Sequence, residues 1–116
     1  MPDEAAVSRL TLDVDRDGVT AVVRCRGKLV VGVNQILYLK ISELLPDTKR
    51  IVLDLTDLTF MDSMGLGTLV RVYVATRSAG CDLELIHLGK RIRELLGIAN
   101  LLSVFTIVGE NDIRFH

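Results

Sequence analysis

Residues 51–70 read IVLDLTDLTFMDSMGLGTLV, and this stretch decides how the rest of the chain folds. Ile51 to Leu55 is a short apolar run of the kind that central strands have. From Ser63 to about Ser78 the period becomes helical, with Leu66, Leu69, Val70, Tyr73 and Val74 on overlapping faces and Ala79-Gly80 as the stop. Between strand and helix, Asp62 is suited to cap the helix, because a carboxylate can accept bonds from orphan backbone N–H groups. Ser63 then falls in the first turn, with its hydroxyl near the surface. Gly65 and Gly67 each cost about 1 kcal/mol relative to alanine inside a helix. Two such costs in three residues predict that another backbone, or a partner, comes close there.

Upstream, Leu10, Leu12 and Val14 alternate with Arg9, Thr11 and Asp13, the period of a half-buried strand. Asp17-Gly18 supplies a turn, and Val19, Ala21, Val23 and Cys25 line one face of a second strand, which makes a hairpin. Gly27 and Gly32 bracket a loop, Lys28 to Val31, that is apolar for a connection. Leu37, Ile41, Leu44 and Leu45 recur at helical spacing until Pro46. Downstream, Leu83, Leu85 and His87 read as a strand. Lys90 to Leu96 reads as a third helix with Gly97 at its end, and Val104 to Val108 as a last strand. Asn111 to Phe115 reads as the opening of a final helix. The order β-β-α-β-α-β-α-β predicts one α/β domain over residues 1–116. It has an N-terminal β-hairpin, a mixed sheet of four to five strands and crossover helices.

The chain has 116 residues, 49% of them apolar but only 4% aromatic, so valine, leucine and isoleucine must fill the core. A net charge of −1 supplies no field to draw in nucleic acid or anionic membranes. No apolar run approaches the roughly 20 residues that span a bilayer, and the acidic start Met1-Pro2-Asp3-Glu4 lacks the order of a signal peptide. A cytoplasmic protein without membrane insertion is expected. Cys25 and Cys81 read as buried free thiols of a reducing compartment, and no companions stand at metal-ligand spacing. A homo-oligomer stays open.

Catalytic readings of the central stretch fail one by one. A nucleophile elbow needs glycine two positions before the serine, where Met61 stands. A serine triad would need His87 or His116, and neither has a motif around it; His87 reads as a packed or half-exposed strand residue. The phosphate loop Gly-x-x-x-x-Gly-Lys-Ser/Thr is absent, which disfavours a nucleotide-binding or hydrolysing protein. Asp54, Asp57 and Asp62 could suggest magnesium and a phospho-aspartate receiver. A receiver's first strand leads into a helix, however, and here it leads into a hairpin. Asp54 and Asp57 therefore read as strand-end and turn residues. No cofactor, metal or enzyme activity is expected. What remains is a serine that accepts charge. Phosphorylation adds about −1.5 to −2 charges at neutral pH. A helix N-terminus tolerates that charge, whereas a partner docked beside it meets repulsion and a desolvation cost.

The segment Asp62-Ser63-Met64-Gly65-Leu66-Gly67 after an apolar strand resembles the signature of the STAS domain family (sulphate transporter and anti-sigma factor antagonist), Asp-Ser-x-Gly-Leu-Gly. The element order agrees over nearly the whole chain. The resemblance implies a single STAS domain that acts as an anti-sigma factor antagonist and is phosphorylated on Ser63 by an anti-sigma factor serine kinase. Such a protein binds that kinase when unphosphorylated and is reset by a metal-dependent serine phosphatase. It also implies a partner surface made of the helix start and the loop from Gly27 to Asn34. The residues assigned to that surface are Lys28, Val30, Val31, Val33, Asp62, Ser63, Met64 and Gly65.

Two features depart from the family pattern. The loop often reads Gly-Glu-Leu-Asp in relatives but is Gly27-Lys28-Leu29-Val30 here, and the residue after the serine, often small, is Met64. Val30, Val31, Val33, Met61 and Met64 either turn inward as packing or form an apolar rim that sets partner choice. Lys90, Arg91 and Arg93 read as a solvated face or a secondary docking patch, and Tyr38 and Leu39 as contacts or a broad buried face. A second role implied by the family is that of a subunit of a lipid-transport ATPase or a stress-sensing assembly, with Ser63 never modified.

Overall fold

A computed structural model describes residues 10–101, 104–108 and 114–115, the segments 106–108 and 114–115 by their backbone. Strands β1 (Leu10–Asp17) and β2 (Thr20–Leu29) form the expected antiparallel hairpin, with Asp17 opposite Thr20 across the turn Gly18-Val19. Gly18 has φ +62°, the left-handed backbone such two-residue turns need. Helix α1 (Asn34–Leu44) and a 3₁₀ turn over Leu45–Asp47, with Pro46 inside it, lead to β3 (Arg50–Met61). Helix α2 (Ser63–Ser78), strand β4 (Asp82–Ile86), helix α3 (Lys90–Ile98) and strands β5 (Thr106–Val108) and β6 (Arg114–Phe115) follow.

The strands pair in chain order, β1-β2-β3-β4-β5-β6. The inner pairs β2–β3, β3–β4 and β4–β5 are parallel and the outer pairs antiparallel. The mixed α/β sheet with a hairpin and crossover helices is therefore as the pattern predicts. Its outer edge is not: Arg114 and Phe115 pair with Val108 and Ile107 as a strand where a helix was expected, while Asn111 to Ile113 lie outside the described residues.

Strand β3 is much longer than the apolar run Ile51–Leu55, and β2 takes in Lys28 and Leu29, which the sequence pattern places in a loop. Two register shifts explain why. Arg24 faces Asp54 but Arg26 faces Asp57, and Gly27 faces Leu58 but Lys28 faces Phe60, so each shift places one extra residue in β3. Leu55, Leu58 and Met61 all reach the core through these bulges, at a spacing of three that hides the strand period. Asp54 and Asp57 are consequently strand residues and not a turn.

The aliphatic core runs from Val23 and Cys25 through Leu37, Ile41, Leu53 and Leu85 to Leu69, Val72, Ile92 and Leu96. On α2 the inward residues are Gly65, Thr68, Leu69, Val72 and Thr76, while Val74 is exposed. Thr68 and Thr76 fit this inner face because their hydroxyls donate to the Met64 and Tyr73 carbonyls. Helix α3 passes through Gly97 and ends at Ile98, with Ala99 as its C-cap. Lys90 and Arg91 are exposed and Arg93 half-buried. His87 is exposed just beyond β4 with φ +58°, so it is not a strand residue. Cys25 and Cys81 are buried and free, and burial pushes the Cys25 thiol up to about 12.

The other sheet face carries ion pairs, among them Arg50, whose guanidinium donates to both Glu84 oxygens at 2.7 and 3.0 Å. Glu84 is only 7% exposed. Arg50→Leu is expected to cost about 2 kcal/mol in urea unfolding, because it leaves a buried carboxylate unpaired.

Candidate functional site

Strands β2 and β3 end side by side, with Leu29 opposite Met61. The turn Val30–Val33 and the start of α2 therefore leave the sheet together, at the carboxyl ends of parallel strands where α/β sheets commonly place their sites. Asp62 joins the two. Its N–H donates to the Leu29 carbonyl at 3.3 Å, its Oδ1 accepts from the Gly65 N–H at 2.9 Å, and its Oδ2 accepts from the Val31 N–H at 3.0 Å. The expected helix cap is thus also a strut to the neighbouring loop. These backbone donors, Val31 first and then those of the helix start, hold the Asp62 carboxyl below its ordinary value, against a smaller opposing effect of burial.

The sign of that shift fixes a pH effect. The strut is complete above the ordinary carboxylate value of about 4 and is lost as pH falls through the lowered folded value. The Val31 amide resonance is therefore expected to titrate with a midpoint below about 4, and Asp62→Ala to abolish that transition.

Gly65 explains half of the glycine pair. A Cβ built on it would lie 2.0 Å from the Leu29 carbonyl oxygen and 2.9 Å from its carbon, so the helix start and the end of β2 are in backbone contact. Gly67 differs: nothing lies within 4 Å of an added Cβ. A second link was not legible in the sequence. Asn34, buried at the start of α1, donates from Nδ2 to Thr68 Oγ1 at 2.9 Å, and Thr68 in turn donates to the Met64 carbonyl at 3.0 Å. Buried threonine and asparagine are visible as types, but their pairing needs the packing of α1 on α2.

Ser63 is the first residue of α2 and is exposed. Of the other assigned partner residues, Lys28 is exposed, Val31 is 58% exposed and Met64 51%. Val33, Met61 and Gly65 are buried, and Val30 packs partly against the core. The apolar rim thus divides: Val31 and Met64 face outward beside Ser63, and the others turn inward. Phe60, in register with Lys28, and Ile36, in the first turn of α1, add exposed apolar surface that the period of their elements did not announce. Among the described residues no cluster of three or more histidine, cysteine, aspartate or glutamate side chains is placed to hold a metal ion. No helix of the described residues is long and apolar enough to cross a membrane.

The model of the STAS domain matches residues 11–112. An anti-sigma factor antagonist from Mycobacterium paratuberculosis superposes with a TM-score of 0.76 at 21% identity, over 86% of each chain. The Bacillus cell fate determinant SpoIIAA in its phosphorylated form gives a TM-score of 0.68 at 19% identity, over 87% of this chain and 94% of that one. The murine Solute Carrier 26 family member A9 anion transporter gives 0.64 at 15% identity, over 72% of this chain and 14% of that one. At such identities the likeness is one of fold.

Proposed function

This chain belongs to the STAS domain family, and we propose that within it the protein is a non-catalytic anti-sigma factor antagonist switched by phosphorylation of Ser63. The observation that carries this reading is the position of Ser63. It is exposed at the first residue of α2, directly after a cap residue whose carboxylate already ties the helix to the Val31 loop. A phosphate there finds first-turn N–H groups and the favourable end of the helix dipole, so the fold accommodates it. A partner seated over Ser63, Val31 and Met64 instead meets two adjacent anionic groups, the phosphate and Asp62, in a surface it must desolvate.

The cycle this implies has an anti-sigma factor serine kinase that binds the unmodified form and modifies it, and a metal-dependent serine phosphatase that restores it, in the cytoplasm. Incubation with the candidate kinase and ATP, followed by intact mass measurement and site mapping, tests it. One added phosphate on Ser63, with Ser63→Ala refractory, is the expected result; modification only at other residues would contradict the proposal.

The exposed side chains of Val31 and Met64 support a further element, that the rim selects the partner. Val31→Asp and Met64→Asp, both at exposed positions, are each expected to weaken kinase binding about tenfold or more while the thermal midpoint stays within a few degrees of wild type. Unchanged binding by both folded variants would remove the rim from the account. The same apolar outward face favours one alternative, a lasting complex in which the domain is a subunit and Ser63 stays unmodified.

A further inference from the structure

The arginines of β2 and β3 are each answered by a carboxylate. Arg24 lies 2.9 Å from Asp15, Arg26 lies 3.1 Å from Asp13, and Arg50 lies 2.7 Å from Glu84. The two arginines of α2 are not. Among the described residues Arg71 and Arg77 have no carboxylate within 4 Å; each guanidinium instead stands over a tyrosine ring, Arg71 at 4.2 Å from the Tyr38 centroid and Arg77 at 5.8 Å from that of Tyr73. Stacking on a ring leaves the in-plane N–H groups of a guanidinium free for an acceptor arriving from solvent.

These two cations flank Val74, three residues to either side, and Val74 is 55% exposed. Beside it runs an open groove of about 420 Å³ lined by Tyr38, Val70, Arg71, Val74, Ala75 and Ser78. Two turns nearer the start of α2 than Val74, Gly67 presents no side chain and has open space above it. This face of α2 thus combines an apolar groove with Arg71 in its lining, a bare position at Gly67 and, on the other side of Val74 and outside the groove, a second cation, Arg77, about 9 Å from Arg71 along the helix axis. That pattern is complementary to one occupant, a segment of a partner protein with an apolar residue between two acidic ones.

We propose that this face of α2 is a second docking site, for an acidic amphipathic segment of a partner protein, and that it acts independently of the charge on Ser63. Val74 lies eleven residues beyond Ser63, about 16 Å along the helix. That is about twice the screening length of roughly 8 Å at physiological ionic strength. A phosphate on Ser63 therefore repels at its own end of the helix and leaves this groove able to hold the partner.

The test uses the full ¹⁵N-labelled chain and a synthetic amphipathic peptide in which leucine is flanked by glutamates, with its lysine-for-glutamate counterpart as the comparison. The glutamate peptide is expected to shift the amides of Tyr38, Arg71, Val74 and Ser78 saturably. The double variant Arg71→Glu, Arg77→Glu is expected to weaken it about tenfold or more and to prefer the lysine peptide. Ser63→Asp is expected to change the affinity by less than about twofold. Equal binding of both peptides by the native chain, or shifts only at other residues, would overturn the site. Displacement of the peptide by anionic lipid vesicles would replace the protein partner with a membrane surface. Loss of binding in Ser63→Asp would remove its independence without touching the switch itself.

Discussion

Gly65→Ala is expected to lower stability by about 3 kcal/mol or more, whereas Gly67→Ala, two residues on, is expected to raise it by about 1 kcal/mol. The first substitution puts a methyl group 2.0 Å from the Leu29 carbonyl oxygen, a backbone atom that cannot rotate away. Relief requires α2 to lift off the end of β2, which strains the bond from Asp62 N–H to Leu29 and the strut from Asp62 to Val31. The second substitution meets nothing within 4 Å and replaces a poor helix former by the best one. Urea denaturation of both variants against wild type checks the pair, and equal effects of the same sign would show that the helix start is not in contact with β2. Gly67 meets no neighbour that requires a glycine; under the docking site proposed for this face of α2, that open surface would admit a partner's backbone.

The glycine pair also illustrates what could be read from sequence. Their cost in a helix is a property of residue type, so a close approach was predictable, but which backbone approaches Gly65 depends on how β2 and β3 end in register. The hairpin, the central strand, the three helices and the capping role of Asp62 follow from periods and residue types that act locally. The full length of β3 does not. Its bulges move Leu55, Leu58 and Met61 to a spacing of three, and only pairing with β2 makes that spacing a strand. The period alone does not pick out the inner face of α2, for a related reason. Thr68 and Thr76 satisfy their hydroxyls on the helix's own carbonyls and go inward, which leaves Val74 outside.

Within the site, Ser63, Asp62 and the loop were legible as a group. The division of the apolar residues between core and rim was not, because valine and methionine fit either place and the fold alone decides. The strut from Asp62 to Val31 was hidden as well, since it joins residues 31 positions apart in the chain.

Phosphorylation of Ser63 is expected to weaken binding to the cognate kinase on the order of a hundredfold or more, while the thermal midpoint moves by only a few degrees. The asymmetry comes from where the charge sits. In the free protein the dianion is solvated and lies at the N-terminus of a sixteen-residue helix. In the complex it must lose water beside Asp62, a second anion at neutral pH, whose carboxylate the Val31 and Gly65 N–H groups hold in place. Ser63→Asp, with a single charge and shorter reach, is expected to reproduce part of the loss.

A calorimetric titration of the kinase with the unmodified chain and with the homogeneously Ser63-phosphorylated chain decides the matter most directly. Tight binding of the first and a loss of about a hundredfold for the second, both folded, is the predicted result. Equal affinity of the two forms would contradict the switch and leave Ser63 as a structural residue of a lasting complex.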